Sequence, residues 1–242
     1  MKRKILLVLI AVLFLVMVGA CVLLAMILSR GNDEEQAFES LSTLVAAGES
    51  AGGEEDAAIF TRDLSPLFEQ NSDCVGWIYI ADTAIDYPVM HTPYDPEKYL
   101  HLNFEEKYSY AGVPFLQGAD RLDSDNLLIY GHNMKNGTMF HDLKKYRDYS
   151  YYATHPLIEW ETANGLQVFS VFAVVRLKSD DAWYSFMDAA DKAEFDEQVA
   201  RMLKSSLYEI GIVPQYGQQL LTLSTCHGRS KSDRLIVVGV EL

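Results

Sequence analysis

Three side chains of this sequence are of the types that nucleophilic catalysis by a thiol requires. Cys226 ends an apolar stretch at residues 220–225 and precedes a polar loop, a position where a thiol is exposed and can be deprotonated. His132 follows the apolar stretch at 126–130, where its imidazole would lie at a sheet edge and could transfer protons. Arg234 opens the next apolar stretch after Cys226 and could face the thiol across a hairpin, where a cation stabilises an oxyanion. The three residues predict an acyl-transfer site.

Each of these residues also has an ordinary structural interpretation. A cysteine in a loop can be incidental, a histidine can sit in a surface turn, and an arginine at a strand end can be a charged edge residue. We expect Gly131 to let the backbone turn and so present the imidazole of His132. Arg229, in the middle of the loop, is expected to be solvated, and His227 to point away from its neighbour Cys226. Taken one at a time, the residues leave both interpretations open.

The cysteines and histidines form neither a disulfide scaffold nor a metal-binding motif. Only three cysteines occur, and Cys21 lies within a long apolar run, so at most Cys74 and Cys226 could pair in an extracellular domain. Cys74 enters an apolar stretch, which favours a small buried side chain. The sequence has no CxxC or HExxH motif, and no glycine-rich phosphate loop follows a predicted strand, so neither a metal nor a cofactor is predicted.

The elements that must position these residues are predominantly strands. Stretches rich in Val, Ile, Tyr, Phe and Leu, separated by turn signals, predict strands at 76–80, 85–89, 113–116, 126–130, 157–161, 167–175, 219–224 and 235–240. Helical patterns occur at 64–69, 138–145 and 189–208. Because strands and helices do not alternate regularly, the pattern predicts a mainly β fold, namely a closed or nearly closed eight-stranded barrel with inserted helices.

The charge of the chain is distributed unevenly along its 242 residues. The 20 basic and 34 acidic side chains give a net charge of −14, of which residues 1–30 carry +4, residues 31–58 carry −8 and residues 59–242 carry −10. The acidic balance argues against a general nucleic-acid-binding protein, which needs clustered cations. With 12% aromatic and 22% charged residues, the chain is not of the disordered class. The charge thus separates an N-terminal segment, a linking segment and a domain.

Residues 5–28 form an uncharged run of 24 residues that predicts a transmembrane helix. A helix of this length spans about 36 Å, enough to cross a bilayer core. The basic side chains at the start of the chain keep residues 1–4 in the cytoplasm, so we expect a single-pass cell-membrane protein whose remainder is extracellular. A cleaved or lipidated N-terminus is the alternative, because residues 18–21 (VGAC) resemble a lipoprotein processing box.

The segment after the apolar run is rich in acids, Gly, Ala and Ser. We interpret residues 29–58 as a solvated tether that holds the domain off the membrane surface, with room for a short helix at 38–45. The residue pattern changes at Ile59, after which strand-like stretches recur. The sequence therefore predicts an extracellular catalytic domain at residues 59–242.

Two motifs give the sequence a family resemblance. The stretch 222–226 (TLSTC), with Arg234 eight positions after the cysteine, resembles the active-site strand of sortases, the membrane-anchored cysteine transpeptidases of Gram-positive bacteria. Residues 128–140 (LIYGHNMKNGTMF) resemble the segment that holds the catalytic histidine of that family. Further similarity, in the same order, lies at 71–78 (NSDCVGWI), 85–89 (IDYPV) and 111–116 (AGVPFL). The TLSTC variant, the YGHNM run and the long predicted helix before the cysteine strand resemble class B.

The resemblance implies a sortase-type barrel and a defined reaction. Cys226, as a thiolate, would attack the carbonyl after the threonine of a sorting pentapeptide near the C-terminus of a secreted protein. Arg234 would stabilise the oxyanion, and His132 would protonate the departing amine and leave a thioacyl-enzyme. An amine of a lipid-linked peptidoglycan precursor would then accept the acyl group. The implied partners are that secreted protein, that precursor and the membrane, without nucleic acid.

The resemblance also implies the residues of a substrate groove. By family position, Tyr130, Ser224 and Thr225 would bind the sorting peptide. Trp183 and Tyr184, which precede the long predicted helix, could wall the groove or could be aromatic residues that cover the barrel. Both interpretations of these two side chains stay open.

Two other classes of function also stay open. One is a cell-wall cysteine peptidase of papain type, which passes the acyl group to water, although such peptidases usually carry their cysteine at a helix N-terminus. The other is a non-catalytic surface-binding barrel with an idle cysteine. Cleavage of a sorting peptide without an acceptor adduct would favour the peptidase. Rapid modification of Cys226 by a thiol-directed sulfone, abolished by Cys226→Ala, would distinguish an enzyme from the binding module.

Overall fold

The computed structural model describes residues 2–45, 62–228 and 230–242 of the chain. Within the first helix, side chains are described at residue 10 and at residues 12–24 and 36–45. The chain divides into two compact units, Met1–Leu41 and Ser42–Leu242. Of the regions singled out in the sequence, residues 46–58 of the expected tether, residues 59–61 and Arg229 lie outside the described residues.

A single helix, α1 (Lys2–Val45), contains the long apolar run and is 44 residues long. The helix continues through residues 29–45, where the sequence suggested a solvated tether with at most a short helix. Residues 34–37 (EEQA), shortly after Gly31, are all strong helix formers, which favours continuation of the helix. Among the residues described in side-chain detail, we find no helical stretch that is both long and apolar enough to span a membrane.

Eight strands form one closed barrel, which confirms the predicted architecture. The strands are β1 (Cys74–Tyr79), β2 (Asp86–Met90), β3 (Phe115–Leu116), β4 (Asn126–Tyr130), β5 (Leu157–Thr162), β6 (Gly165–Lys178), β7 (Leu220–Cys226) and β8 (Asp233–Glu241). Their order around the barrel is β1-β2-β3-β4-β7-β8-β6-β5, and β5 closes the barrel by pairing with β1. The β2–β3 and β4–β7 pairs are parallel, and the remaining pairs are antiparallel.

Helices are inserted between the strands, as predicted, with bounds set by their caps. They are α2 (Ser65–Gln70), α3 (Tyr149–Thr154) and α4 (Lys192–Ser205), together with 3₁₀ helices at Lys98–Leu100, Phe140–Arg147 and Ala182–Ser185. The helix predicted at 189–208 is the shorter α4, because the Asp191 side chain accepts a hydrogen bond from the Glu194 N–H and so fixes the start of the helix. The helix predicted at 138–145 is the 3₁₀ helix Phe140–Arg147. Helix α3 was not predicted from the sequence; the Asp148 side chain caps it by accepting from the Ser150 N–H.

The predicted strands agree with the observed ones within a few residues, and the larger differences have local causes. The strand predicted at 113–116 shortens to β3 because the Val113 N–H donates to the Tyr99 carbonyl, at 3.1 Å, and not to a strand. The strand predicted at 167–175 extends to the 14 residues of β6. Its pairing with β8 passes a bulge between Val171 and Ala173, which lets a long strand bend around the barrel.

Large apolar side chains fill the core of the barrel and a second layer outside it. Every tryptophan of the chain is fully buried, namely Trp77, Trp160 and Trp183. In the second layer, Phe195, Val199 and Met202 of α4 pack in one cluster with side chains of β6 and β8. Since each large buried side chain stabilises the fold by about 1.5–3 kcal/mol, the strands that carry the predicted site residues are rigidly supported.

We predict that Gly76→Ala destabilises the barrel. A Cβ atom at this position would lie 2.5 Å from the Glu161 carbonyl oxygen and 2.6 Å from the Trp160 ring, so β1 and β5 would have to separate. We expect the free energy of unfolding to fall by about 1–3 kcal/mol, measured by urea denaturation with tryptophan fluorescence. The control Tyr94→Ala removes an exposed side chain and should change it by less than about 0.5 kcal/mol. An unchanged midpoint for Gly76→Ala would contradict the close approach.

Candidate active site

Two strand pairs bring the predicted site residues to one end of the barrel. Strands β4 and β7 run in the same direction, and Tyr130 at the end of β4 lies opposite Ser224 in β7. Strand β8 returns along β7 so that Arg234 lies directly opposite Cys226. The chain that leaves β4 therefore reaches His132 at the same end of the barrel at which β7 ends in Cys226.

Hydrogen bonds fix the segment around His132 to β7. The Gly131 N–H donates to the Ser224 carbonyl at 3.1 Å, and the Thr225 hydroxyl donates to the Gly131 carbonyl at 2.7 Å. The His132 carbonyl accepts from the Phe140 N–H at 2.9 Å. The backbone is thus held on both sides of the imidazole.

Gly131 has a different role from the one expected from the sequence. Its backbone does not adopt the positive φ that favours glycine in a turn. A Cβ atom at this position would instead lie 2.5 Å from Cγ of the Phe140 ring. The glycine is therefore required by the close approach of a buried ring, and the ring packs against the backbone immediately before His132.

The His132 imidazole is half-buried and neutral at neutral pH. Its Nε2 lies 3.0 Å from the Leu100 carbonyl, so Nε2 carries the proton and donates it to that oxygen. The ring stacks on His101, with centroids 5.6 Å apart. Burial is the main cause that lowers the pKa of His132; a positive charge on His101 lowers it further, and the Leu100 carbonyl acts in the opposite direction. The resting imidazole is therefore ready to accept a proton at Nδ1.

Cys226 and Arg234 supply an exposed thiol and a held cation. Cys226 is exposed and is not part of a disulfide. The Arg234 guanidinium donates through Nη1 to the carbonyls of Lys231, at 2.6 Å, and Asp233, at 3.2 Å. The carboxylate of Asp233 pairs with Lys178 instead, and within the described part of the chain no carboxylate lies within 4 Å of the guanidinium. The charge of Arg234 is thus positioned by its own loop and is not neutralised by an ion pair.

Cys226, His132 and Arg234 line one cleft of about 400 Å³. The rest of the lining combines apolar and hydroxyl-bearing side chains and includes Leu100, Val113, Phe115, Gln117, Tyr130, Tyr184, Ser224 and Thr225. A cleft of this kind binds the apolar part of a ligand and orients the ligand through a few polar groups. The residues that the family resemblance assigned to the groove, Trp183 excepted, all lie in its wall.

Two tyrosines form a hydrogen-bonded wall of the cleft. The Tyr184 hydroxyl lies 2.9 Å from the Ser224 hydroxyl, and the Tyr130 hydroxyl donates to Gln117 Oε1 at 2.7 Å. The two rings stack with centroids 6.0 Å apart. Burial raises the pKa of Tyr184 to about 12 and raises that of Tyr130 as well, so both phenols stay protonated at neutral pH.

A buried carboxyl supports this wall from behind. Asp120 is only 2% exposed, and its Oδ2 accepts from the Leu128 N–H at 2.8 Å. Its Oδ1 lies 3.5 Å from the amide of Gln117, the residue that holds Tyr130. Burial raises the pKa of Asp120 to about 7, partly offset by the bond from Leu128. The position of Tyr130 therefore depends on a chain of buried polar contacts that ends at β4.

Trp183 lies outside the cleft, which corrects its assignment as a groove wall. Its indole is fully buried, and Nε1 donates to the Thr222 hydroxyl at 3.0 Å, so the side chain covers the barrel as the alternative interpretation proposed. Its neighbour Tyr184 does line the cleft. His227 is half-buried and lines a separate depression, together with Arg176.

Three groups that were not predicted from the sequence hold the residues of the cleft in place. The Leu100 carbonyl holds His132, the Asn133 side-chain amide donates to the Cys226 carbonyl at 2.9 Å, and Gln117 holds Tyr130. Asn133 stands in the YGHNM run next to the histidine, which was an available signal. The role of the Leu100 carbonyl could not be predicted from the sequence, because every residue type has a backbone carbonyl.

Cys74 is the small buried side chain that the sequence predicted. It is 5% exposed, its Sγ lies 3.7 Å from the Gly76 carbonyl, and burial raises the pKa of its thiol to about 12. Cys74 and Cys226 are both free thiols, so the disulfide left open by the sequence does not form. No group of three or more His, Cys, Asp or Glu side chains within the described ranges could hold a metal ion.

Comparison with known proteins connects this geometry to one family. The sequence model of the Sortase domain matches residues 78–242. A protein named Sortase B from Listeria monocytogenes serovar 1/2a is 32% identical over 182 residues, which cover 74% of this chain and 72% of that protein.

Solved structures give the same result. The X-ray structure of Clostridium perfringens sortase B matches with 27% identity and a TM-score of 0.70, covering 74% of this chain and 100% of that chain. A Staphylococcus aureus sortase B–substrate complex matches with a TM-score of 0.76, covering 88% of this chain and 98% of that chain; at 22% identity this match is one of fold.

We predict that His101→Gln raises the pKa of His132. The substitution removes the electrostatic effect of the His101 imidazole and the ring stacked on His132, and the pKa-lowering burial of His132 decreases with that ring. Histidine ring NMR signals, assigned with His132→Gln, would measure the titration. The control His155→Gln replaces a ring stacked on Tyr151 and should leave the value unchanged. An unchanged or lower pKa in His101→Gln would contradict the assignment of these causes.

Proposed function

The chain belongs to the sortase family, its relatives are class B sortases, and it is a cysteine transpeptidase; on that premise we propose that it cleaves a C-terminal sorting motif of secreted proteins after threonine and transfers the acyl group to an amine of a cell-wall peptidoglycan precursor. The observation that carries the proposal is the convergence of Cys226, His132 and Arg234 on one cleft.

In the first half of the reaction, a thioester replaces a peptide bond. His132 takes the thiol proton of Cys226, and the thiolate attacks the carbonyl carbon after the threonine. The oxyanion that forms lies beside the guanidinium of Arg234, which stands opposite Cys226 and has no carboxylate within 4 Å among the described residues. The C–N bond then breaks, and His132 returns the proton to the departing amine. A thioacyl-enzyme remains.

In the second half, the acceptor amine attacks the thioester carbonyl. His132 takes the proton that the amine loses, the C–S bond breaks, and the proton returns to the sulfur of Cys226. The new amide joins the sorted protein to the precursor. The half-buried, neutral imidazole suits both halves, since each begins with the removal of a proton.

The alternative in which water resolves the thioester is a cysteine peptidase. Cys226 ends strand β7, whereas papain-type peptidases usually carry their cysteine at the N-terminus of a helix. This placement favours the transpeptidase. A non-catalytic barrel is not favoured by any feature of the cleft, because an exposed thiol, an imidazole and a held guanidinium all line it.

We further propose that the chain is a single-pass membrane protein with an extracellular barrel. The uncharged run at 5–28, the basic residues before it and the helical backbone of α1 support an anchor. Both substrates of the proposed reaction emerge at the outer face of the membrane, and tethering raises their local concentration at the enzyme.

We predict that transpeptidation depends on Cys226 and Arg234 in different ways. With a pooled library of sorting peptides and a diamino-acid acceptor, mass spectrometry of the full chain should find cleavage after threonine, a thioacyl-enzyme and the adduct. Cys226→Ala should abolish all three, whereas Arg234→Gln should lower kcat/KM by about 100-fold or more while the fold persists. The control Arg121→Gln changes an exposed ion pair and should leave the rate unchanged. A product from water alone would favour the peptidase, and equal rates for Arg234→Gln and wild type would overturn the role of the guanidinium.

We predict that the intact chain fractionates with membranes and keeps its N-terminal residues. Mass spectrometry of the isolated protein should find no cleavage and no lipid on Cys21, and protease added to protoplasts should digest the barrel from outside. Replacing residues 1–45 with a cleavable secretion signal should release the barrel to the medium. A mature chain that begins at residue 21 would show instead that the lipoprotein interpretation is right.

A further inference from the structure

A second concave surface lies outside the cleft, between the 3₁₀ helix Phe140–Arg147, α3 and β6. It encloses about 800 Å³, and its lining includes Lys144, Arg147, Arg176, Tyr149, Tyr151 and Tyr208. We call this surface the basic groove. None of its residues takes part in the proposed acylation chemistry, so the groove requires an explanation of its own.

The basic groove concentrates cations that no ion pair neutralises. The chain carries a net charge of −14, yet among its described residues Lys144, Arg147 and Arg176 have no carboxylate within 4 Å. Lys145, by contrast, pairs with Asp142 at 2.9 Å. Asp148, the acid at the edge of the groove, is engaged as the cap of α3. Like charges held together without counter-charge repel one another, and a bound anion would relieve that repulsion.

One tyrosine of the groove, Tyr151, adds to these charges a hydroxyl that is unpaired among the described residues. Burial raises the pKa of Tyr151 to about 12, so its phenol stays protonated, and within the described chain its buried hydroxyl has no hydrogen-bond partner. The Tyr208 hydroxyl already donates to the Tyr146 carbonyl at 2.7 Å, and its ring packs edge-on against Tyr149. Guanidinium and ammonium groups beside an unpaired phenol are the donors that recognise phosphate oxygens.

A shared depression connects the basic groove with the cleft that contains the thiol. Arg176 also lines the neighbouring depression, which contains His227 and Arg234, and Arg234 lines the cleft with Cys226. Burial is the main cause that lowers the pKa of His227. The charges of Arg176, Arg147 and Lys144 lower it further, and the Asp233 carboxylate acts in the opposite direction. The cations of the groove therefore act on the residue that follows Cys226. The depression between the groove and the cleft is lined by these cations and by the carboxylates of Asp180, Asp181 and Asp233.

We propose that the basic groove binds a phosphate group of the acyl acceptor and so directs the acceptor amine to the Cys226 thioester. This inference rests on the proposed function, because it assigns the groove to the second substrate of that reaction. The acceptor is then a molecule that carries an amine at one end and a phosphate linkage at the other. The groove holds the phosphate, and the depression beside His227 accommodates the part between.

Binding of inorganic pyrophosphate to the full chain in neutral detergent, followed by ³¹P NMR, tests the site without any peptide. We expect Arg147→Gln combined with Arg176→Gln to weaken binding by at least about tenfold. The matched control, Arg121→Gln combined with Lys192→Gln, removes the same charge from exposed ion pairs outside the groove and should bind as the wild type does. Equal binding by wild type and groove variant would overturn the site, and so would a variant that loses affinity only for phosphatidylglycerol vesicles.

Acceptor kinetics test the assignment to the second substrate. Triglycine acceptors with flexible Gly/Ser tails of increasing length, each ending in serine or phosphoserine, would be compared on one sorting peptide. In the wild type, phosphorylation should lower the acceptor KM at the tail lengths that reach the groove, and the groove variant should lose this difference while thioacyl formation is unchanged. If no tail length shows a phosphate-dependent KM, the groove does not serve the acceptor. Absence of the thioacyl species would instead overturn the proposed function, with pyrophosphate binding intact.

Discussion

The parallel pairing of β4 with β7 is the constraint on which the site depends. Parallel strands cannot be joined by a tight turn, so the chain between them must cross over and supplies β5, β6 and α4 on the way. Because both strands point the same way, His132 and Cys226 emerge at one end of the barrel although 94 positions separate them in the chain. Adding β8 antiparallel to β7 then places Arg234 at that same end. The backbone pairing of three strands thus brings the three side chains to one cleft.

A buried polar network fixes the register of this strand pair. The Thr222 hydroxyl of β7 donates to the side-chain carbonyl of Asn126 in β4 at 2.8 Å, and the Asn126 amide donates to the Phe186 carbonyl at 2.8 Å. The Trp183 indole donates to the same hydroxyl of Thr222. A one-residue slip would leave these buried groups unpaired, at a cost of about 1–3 kcal/mol each. The network also ties the Trp183 helix to the barrel, and that helix carries Tyr184 into the cleft wall.

The sequence predicts those parts of the site that follow from strand periodicity and residue type. The pairing of Cys226 with Arg234 follows from two apolar stretches joined by a polar loop, and the structure places the two residues opposite each other. Contacts between distant segments carry no such signal. Gly131 is required by the ring of Phe140, nine positions later in the chain, and the orientation of Trp183 is set by the Thr222 hydroxyl of β7. The hydrogen-bond acceptor for His132 Nε2–H is the Leu100 carbonyl, a backbone group that every residue type has.

His132 and Arg234 have different roles in the cleft: His132 gains and loses a proton during the proposed reaction, whereas Arg234 stays charged. Burial and the neighbouring His101 keep His132 neutral at rest, so the imidazole gains its charge only when it takes a proton from the thiol or from an amine. Arg234 cannot exchange its proton in this way, and its guanidinium is held by two backbone carbonyls of its own loop. A fixed cation stabilises an oxyanion without reorganising at the moment of reaction, whereas a proton carrier must change its state in each half-reaction. Their positions in the fold give the two groups these separate roles. Strand β8 holds Arg234 at the rim of the cleft, and the loop after β4 places His132 in its wall.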